Sequence, residues 1–238
     1  MYRVRVAIVG AGGIANRHAY ALRANEHAEL TAVIDADRAK GEDFAARWGG
    51  TVYDSLSRCL GEVDAVYVLT PPTVRKGYAL EALSAGKHLF CEKPLASTSD
   101  DALEITRAAE RANVVSVMGL NMRYRTGFDL VRRTVHDGKL GRPYHFWRQR
   151  FGSGPGATGT IKAKNWRTDP AFVVGMTIES FSHDADLLRW IMGDEVQSVS
   201  AVVYGTVAAL PEFDNNAYAL FRTKQGASAT ITASWSSR

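Results

Sequence analysis

Cysteine is scarce in this sequence. Only two cysteines, Cys59 and Cys91, occur among 238 residues, and neither belongs to a spacing typical of metal ligands. We interpret both as small core residues and expect a cytoplasmic protein, because such cysteines are typical of a reducing compartment. No run of about 18 apolar residues occurs, which argues against a helical membrane span. The N-terminal segment lacks the apolar region of a secretory signal, so we expect neither a leader nor a membrane partner.

A strong excess of either charge is also absent. The 29 Lys and Arg residues exceed the 25 Asp and Glu residues only slightly, for a net charge of +4, and the basic side chains are scattered. Nucleic-acid binding is therefore not expected. Hydrophobic residues make up 46% of the chain and charged residues 23%, which is typical of a globular protein. This length suits one large domain or two small ones.

Strand-like and helix-like segments alternate in the first half of the sequence. Amphipathic stretches separate five apolar runs, at residues 3–9, 28–35, 64–70, 87–91 and 114–120. This alternation predicts an α/β domain over residues 1–121, with a parallel sheet covered on both faces.

The second half follows a different pattern, because the last strand-like segments have no helices between them. This arrangement predicts an α+β domain over residues 122–238 with a mainly antiparallel sheet. A glycine-rich stretch at residues 152–160 predicts a loop.

A glycine turn joins the first strand to the first helix. The sequence V-G-A-G-G-I-A places Gly10, Gly12 and Ala15 in a G-x-G-x-x-A pattern. In such a turn Gly10 permits the bend, Gly12 lets the backbone approach a pyrophosphate, and Ala15 allows close packing of helix on strand. Because a helix N-terminus offers free N–H groups and the positive end of a dipole, the pattern predicts a dinucleotide site.

Asp35 ends the second strand, at the distance from the glycine turn that a ribose-binding carboxylate requires. A carboxylate there can accept hydrogen bonds from both ribose hydroxyls and would repel a 2′-phosphate, which favours NAD, with NADP left open. The alternative interpretation is that Asp35 caps the following helix. Arg38 could stack on adenine or meet a phosphate.

A lysine lies between a glutamate and a proline at the end of an apolar strand. The segment H-L-F-C-E-K-P-L-A-S stops being apolar at Glu92, Lys93 and Pro94. Burial of a lysine without a partner is unfavourable, and proline fixes the backbone beside it. The residues alone leave two interpretations equal: Lys93 closes a strand, or its amine faces a ligand.

A later helical segment carries a second group of polar residues. Glu179, His183 and Asp186 share one helical face. The residues predicted to form the core-facing side are Phe181, Ala185, Leu188 and Met192. A lone histidine is more often a core residue beside an ion pair, here with Asp184 or Asp186, than a catalytic base. Zinc binding by Glu179 and His183 is a poor alternative, because no third ligand lies nearby, and we expect no metal.

Four segments together resemble the glucose–fructose oxidoreductase/inositol dehydrogenase/MocA family of NAD(P)-dependent oxidoreductases. They are V-A-I-V-G-A-G-G-I-A, D-A-V-Y-V-L-T-P-P, A-L-E-A-L-S-A-G-K-H-L-F-C-E-K-P-L-A and H-D-A-D-L-L-R-W-I-M-G, in chain order. The resemblance covers nearly the whole chain, and E-K-P is its most specific element. It implies a Rossmann domain followed by an α+β domain with a large open sheet. It also implies a dehydrogenase that moves hydride from a secondary alcohol of a sugar, cyclitol or related polyol to the nicotinamide.

The resemblance assigns roles to three residues. Lys93 matches the lysine that points into the cleft between cofactor and substrate, where it would orient and polarise the reacting hydroxyl. Family members often have the following peptide bond cis, and we expect this for Pro94. His183 matches the family's helix histidine and is the candidate general base. Glu179 stands where the family usually has aspartate, and would support one of the other two.

The resemblance also extends the set of ligand-binding residues. The predicted cofactor-binding set is Gly10, Gly12, Gly13, Ile14, Asp35, Arg38, Thr70, Pro71, Pro72, Glu92 and Lys93. The predicted substrate-binding set is Lys93, Asn121, Arg123, Trp166, Arg167, Glu179 and His183. Lys164 is a further candidate contact, and Trp166 could equally stack on a sugar or pack within its loop. Many members carry a histidine near the position of Arg75, so a relay through that histidine is not implied for this chain, and Arg75 could pair with an anion instead.

The chain is shorter than the members of this family. We therefore expect an α+β domain that is truncated at its C-terminus, either because the sequence is a fragment or because the domain is trimmed. The family's open sheet often forms a dimer interface, so a homo-oligomer, dimer or tetramer, is expected if the sheet is complete enough. Two other functions stay open: a non-catalytic NAD(P)-sensing protein, and a glycosidase that oxidises its substrate only transiently.

Overall fold

The computed structural model describes residues 2–154, 166–167, 169, 171–172, 174–207 and 213–236. The chain divides into two compact units, Met1–Gly119 and Leu120–Arg238. The predicted glycine-rich loop at residues 152–160 falls mostly outside the described residues, as does Lys164. No helix within the described ranges has the length and apolar character needed to cross a bilayer.

The first unit is built on a six-stranded parallel sheet. Its strands are β1 Val4–Val9, β2 Ala28–Ile34, β3 Thr51–Val52, β4 Ala65–Val68, β5 His88–Cys91 and β6 Ser116–Met118. Its helices are α1 Gly13–Arg23, α2 Arg38–Trp48, α3 Pro72–Ser84 and α4 Ser99–Ala112, with 3-10 turns at Leu56–Arg58 and Leu60–Glu62. The strand order is β3-β2-β1-β4-β5-β6, so the chain reverses its direction of travel across the sheet between β1 and β4. In sheets of this kind, ligands bind outside the carboxyl ends of the strands at such a switch point.

The central strands are buried on both faces, which explains their continuous apolar sequence. One face of the sheet joins Val9, Val68 and Leu89 to a core shared with α3 and α4. The other face joins Val6 and Ile8 to α1 and α2. The predicted doubly wound parallel sheet is therefore confirmed.

The second unit contains a four-stranded mixed sheet. Its strands are β7 His145–Phe151, β8 Val196–Tyr204, β9 Asn216–Thr223 and β10 Ser228–Ser234, in the order β7-β10-β9-β8. Its helices are α5 Thr126–His136 and α6 Ser182–Met192, with a 3-10 turn at Asn121–Tyr124 and a π-helical turn at Thr177–Phe181. Strands β8, β9 and β10 are antiparallel, while β7 runs parallel to β10. The predicted mainly antiparallel sheet is confirmed, with β7 as the parallel exception.

Helix α6 packs on one face of this second sheet. The predicted core-facing residues lie in one cluster with the inward side chains of β9 and β10, Phe181, Leu188 and Met192 being buried and Ala185 half-buried. The π-helical turn immediately before α6 was not predicted. It contains Glu179, and such wider turns occur frequently at functional sites.

Candidate active site

One edge of the parallel sheet collects the residues that follow four adjacent strands. The register aligns Val9 with Val68, Val68 with Cys91, and Cys91 with Met118. The next residues therefore lie side by side at the carboxyl edge, and they are Gly10, Leu69, Glu92 and Gly119. Backbone hydrogen bonds from Leu69 to Val9, from Glu92 to Val68 and from Gly119 to Cys91 continue the sheet by one residue.

The glycine turn follows β1 at this edge. Gly10 has φ +97°, and a Cβ there would lie 3.0 Å from the backbone nitrogen of Thr70, so both conformation and space require glycine. A Cβ on Gly12 or Gly13 would meet no heavy atom within 4 Å. Helix α1 begins at Gly13 without a side-chain cap. An uncapped helix N-terminus behind open space fits the pyrophosphate of a dinucleotide.

Asp35 braces the glycine turn against the end of β2. Its carboxylate accepts hydrogen bonds from the backbone N–H of Ala11, at 2.7 Å, and of Asp37, at 2.9 Å. Asp37, not Asp35, is the N-cap of α2, so the alternative that Asp35 caps this helix is wrong. A carboxylate has about four acceptor positions, so two backbone donors leave capacity for ribose hydroxyls.

The structure gives Arg38 a surface role. Its guanidinium pairs with Glu42 at 2.8 Å and also with Asp54, and the side chain is largely exposed. Ile14, also in the predicted cofactor set, packs against the core under α1.

The segment after β4 forms the next part of the edge. Thr70 is buried, and its Oγ1 has no hydrogen-bond partner among the described residues. Helix α3 begins at Pro72, with Pro71 as its N-cap. The first position of a helix favours proline, because the backbone N–H that proline lacks would have no partner within the helix there. A buried hydroxyl that lacks a partner beside the glycine turn is a suitable ligand contact.

The E-K-P segment follows β5, and the Lys93–Pro94 peptide bond is cis, as expected. Glu92 is buried, and its carboxylate accepts a hydrogen bond from the Lys93 N–H at 3.0 Å and shares another with Nε2 of His18 at 3.1 Å. Burial alone would raise the pKa of Glu92, but the hydrogen bond and charge of His18, with the Lys93 N–H, hold it below its ordinary value. Glu92 is therefore a carboxylate that organises its own turn.

His18 and the backbone of Gly119 lie beside the carboxylate of Glu92. The ring of His18, on α1, packs edge-on against Phe90 of β5, with ring centroids 4.9 Å apart, and against Tyr67 of β4. A Cβ on Gly119 would lie 3.2 Å from the carboxylate of Glu92. Space at this point is therefore limited from the β6 side.

Arg75 of α3 connects the two loops of the edge. It is only 3% exposed, and its guanidinium donates to the carbonyl oxygen of Glu92 at 2.6 Å and to those of Pro94 and Thr70. We predicted that this position could pair with an anion, whereas the structure shows it bonded to three backbone carbonyls.

In the second unit, three predicted substrate residues lie together. The Arg167 Nε donates to the carboxylate of the buried Glu179 at 2.6 Å, and the guanidinium lies over the Trp166 ring, 4.3 Å from its centroid. Glu179 lies in the π-helical turn, whose first residue, Thr177, donates to the carboxylate of Asp214 at 2.8 Å. Asp214 therefore fixes the start of the segment that carries Glu179.

His183 is the second residue of α6 and is buried, with 6% exposure. The neighbouring carboxylates both have arginine partners: Asp184 pairs with Arg148 and Arg150, and Asp186 with Arg123. Arg123, a predicted substrate contact, thus forms a two-point ion pair.

Asn121 is exposed and begins the 3-10 turn that also holds Arg123. Among the described residues, no group of three or more His, Cys, Asp and Glu side chains could hold a metal ion.

Sequence reasoning missed His18, Gly119 and Asp214. No local pattern identifies them, because each acts on a residue far away in the chain; His18 and Glu92 are separated by 74 positions. Only the register of the parallel strands, once known, would have placed Gly119 beside Glu92.

Two family models match most of the chain. Residues 4–120 match a family described as "Oxidoreductase family, NAD-binding Rossmann fold", and residues 128–238 match the "GFO/IDH/MocA C-terminal domain".

Among curated proteins, the inositol 2-dehydrogenase/D-chiro-inositol 3-dehydrogenase of Shouchella clausii is 30% identical over 232 residues, covering 94% of this chain and 63% of that protein. The glucose-6-phosphate 3-dehydrogenase of Bacillus subtilis is 34% identical over 137 residues, covering 58% of this chain and 39% of that protein. The chain thus spans less than two thirds of the length of these relatives.

Solved structures show the same architecture. GenD2 from gentamicin A biosynthesis, in complex with NAD, gives a TM-score of 0.90 at 27% identity, covering 100% of this chain and 67% of that one. The WlbA dehydrogenase from Chromobacterium violaceum, in complex with NADH and UDP-GlcNAcA, gives a TM-score of 0.89 at 29% identity, covering 99% of this chain and 68% of that one.

Proposed function

This chain belongs to the Gfo/Idh/MocA family of NAD-binding oxidoreductases, and from that premise we propose that it is an NAD-dependent dehydrogenase. Its substrate would be a secondary alcohol of a sugar, cyclitol or related polyol. Residues 1–121 would hold the cofactor, and residues 122–238 would hold the substrate. The observation that carries the proposal is the position of Lys93, which directly follows Glu92 at the same sheet edge as the open, uncapped glycine turn.

The cofactor fits the residues at this edge. Gly12 and Gly13, with the N-terminus of α1, would hold the pyrophosphate, and Asp35 would accept the ribose hydroxyls. Thr70, Pro71 and the Glu92 segment would lie along the rest of the cofactor. NAD, when bound, supplies the hydride acceptor.

The chain's own residues would handle the proton and the orientation of the substrate. Lys93 would donate a hydrogen bond to the reacting hydroxyl and so stabilise the oxygen as it loses its proton. His183 would accept that proton. Glu179, oriented by Arg167, would support one of these two groups, and Trp166 would offer a flat face to a sugar ring.

A substrate screen tests this proposal. The protein is incubated with a panel of cyclitols and aldoses and with NAD or NADP, and the absorbance of the reduced nicotinamide is followed. We expect turnover with NAD, and a Lys93→Ala variant should lose it by about 100-fold or more. Lys87 provides the control, because it immediately precedes the N-terminal residue of β5, at the other end of the strand from Lys93. Lys87→Ala should keep turnover near that of the wild type.

The other outcomes of the screen separate the competing functions. Binding of NAD, seen by fluorescence, without any turnover would favour a sensing protein. Consumption of a glycoside without net NADH would favour the transient-oxidation glycosidase. Near-normal turnover of Lys93→Ala on a true substrate would refute the proposed mechanism.

We also propose a homo-oligomer, dimer or tetramer, that forms through the second sheet, and a cytoplasmic location. The sheet exposes large apolar side chains, among them Trp147 and Leu220. Light scattering after size-exclusion chromatography tests the oligomer, and a monomer at micromolar concentration would refute it.

The two cysteines support the proposed cytoplasmic location. Both are free and buried, and burial raises the pKa of Cys59 to about 11 and of Cys91 to about 12, as expected for inert thiols in a reducing compartment.

A further inference from the structure

The backbone of both residues next to Lys93 is hydrogen-bonded to the same side chain. The carbonyl of the residue before it, Glu92, and the carbonyl of the residue after it, Pro94, both accept hydrogen bonds from one guanidinium, that of Arg75. The N–H of Lys93 itself donates to the carboxylate of Glu92. The Glu92–Lys93 peptide unit and the carbonyl group of Pro94 are thus fixed by groups outside the Lys93 side chain.

Arg75 also ties this turn to the neighbouring loop. Its second terminal nitrogen donates to the carbonyl of Thr70, which follows β4. One planar group therefore sets the spacing between the loops that follow β4 and β5. The fork of an arginine suits this task, because its donors point in fixed directions, whereas a lysine presents a compact point charge.

Placing this cation in the interior is unfavourable in itself. Arg75 is 3% exposed, and a buried charge is tolerated only where hydrogen bonds offset the loss of hydration. The next residue, Lys76, shows the ordinary alternative, since it points outward and pairs with Asp101 and Glu104 of α4. A purely structural connection between two loops would not need a buried charge aimed at both neighbours of Lys93.

We propose that Arg75 is a positioning residue that sets the direction of the Lys93 side chain by holding the backbone carbonyl groups of both of its neighbours, Glu92 and Pro94. This inference rests on the proposed role of Lys93 in the reaction. Loss of the clamp would let the turn rotate, and the ammonium would no longer meet the substrate hydroxyl in the productive geometry. A displacement of about 1 Å at a reacting group can lower turnover about 100-fold.

A double-mutant cycle tests the proposal. The rate of NADH formation is measured under single-turnover conditions, with enzyme in excess over NAD and with the best polyol found in the substrate screen. The proteins compared are the wild type, Arg75→Met, Lys93→Ala and the double variant. We expect Arg75→Met to reduce turnover about 100-fold in the wild-type background. In the Lys93→Ala background the same substitution should change turnover by less than about twofold, because residues that act through one another are not additive.

Two further variants keep the test decisive. Arg75→Lys keeps the charge but not the fork, so its turnover should fall between those of the wild type and Arg75→Met, and it replaces Arg75→Met in the cycle if the latter does not fold. Lys76→Met removes a cation from the adjacent position of the same helix and should leave turnover unchanged.

The outcomes are distinct. Equal losses from Arg75→Met in both backgrounds would show that Arg75 acts on general structure and would overturn this inference while leaving the proposed function intact. Wild-type turnover of Lys93→Ala would instead overturn the proposed role of Lys93 in the reaction, and with it this inference.

Discussion

Substitution of glycine by alanine should have opposite effects on stability at two positions, Gly119 and Gly77. The difference follows from the close packing of Gly119 against Glu92. In Gly119→Ala, the added Cβ would lie 3.2 Å from the carboxyl carbon and both oxygens of Glu92. That distance is too short, so the carboxylate would have to move. It cannot move freely, because it is hydrogen-bonded to the Lys93 N–H and to His18. We therefore expect an overpacking cost of about 1–3 kcal/mol.

Gly77 provides the matched control. It lies in α3, it is exposed, and a Cβ there would meet no heavy atom within 4 Å. Gly77→Ala should therefore increase stability by about 0.5–1 kcal/mol, because alanine is the better helix former and restricts the unfolded chain.

The assay is urea unfolding of both variants and the wild type, followed by circular dichroism. Neither Gly119 nor Gly77 has a positive φ, so backbone strain does not enter the comparison. A Gly119→Ala variant as stable as the wild type would show that Glu92 has room to move. The account of a tightly fixed carboxylate would then be wrong.

Three further substitutions or conditions probe the same sheet edge. Gly10→Ala should reduce stability by about 1–3 kcal/mol and weaken NAD binding in calorimetry, because φ is +97° and the new Cβ would press on Thr70; unchanged affinity would contradict this. Asp35→Ala should weaken NAD binding and reduce the preference for NAD over NADP, since the brace to Ala11 and the ribose acceptor are both lost; an unchanged ratio of the two affinities would argue against the ribose contact. The pKa of Glu92 is lower in the folded state, so its contribution to stability is present above the ordinary glutamate pKa and is lost as the pH falls through the folded value. In unfolding experiments at a series of pH values, the free energy of unfolding of Glu92→Gln should therefore decrease less on acidification than that of the wild type.

Short-range features of this site could be predicted from the sequence. The glycine turn lies within a few residues of β1 and α1, and the pattern of residue types there follows from the bend it must make. The E-K-P segment could be recognised from three consecutive residues at the end of an apolar strand, and the family resemblance gave Lys93 its role. The fold class followed from the alternation of apolar and amphipathic segments, which is a local property.

Other features depend on how distant segments meet. The contacts of Glu92 with His18 and Gly119 exist only because β1, β4, β5 and β6 are neighbours in register. The role of Arg75 could not be read from the sequence, since its acceptors are backbone carbonyls, which any residue supplies. The π-helical turn before α6 also had no local signal, and the brace from Asp214 comes from a segment 37 positions away.

The most direct measurement is a crystal structure of the protein with NAD and a polyol substrate or inhibitor. The account predicts that the pyrophosphate lies against Gly12 at the N-terminus of α1. It also predicts that the Lys93 Nζ lies about 3 Å from the reacting hydroxyl, beside the nicotinamide. A dinucleotide bound elsewhere, or a Lys93 side chain turned away from the bound ligands, would contradict it.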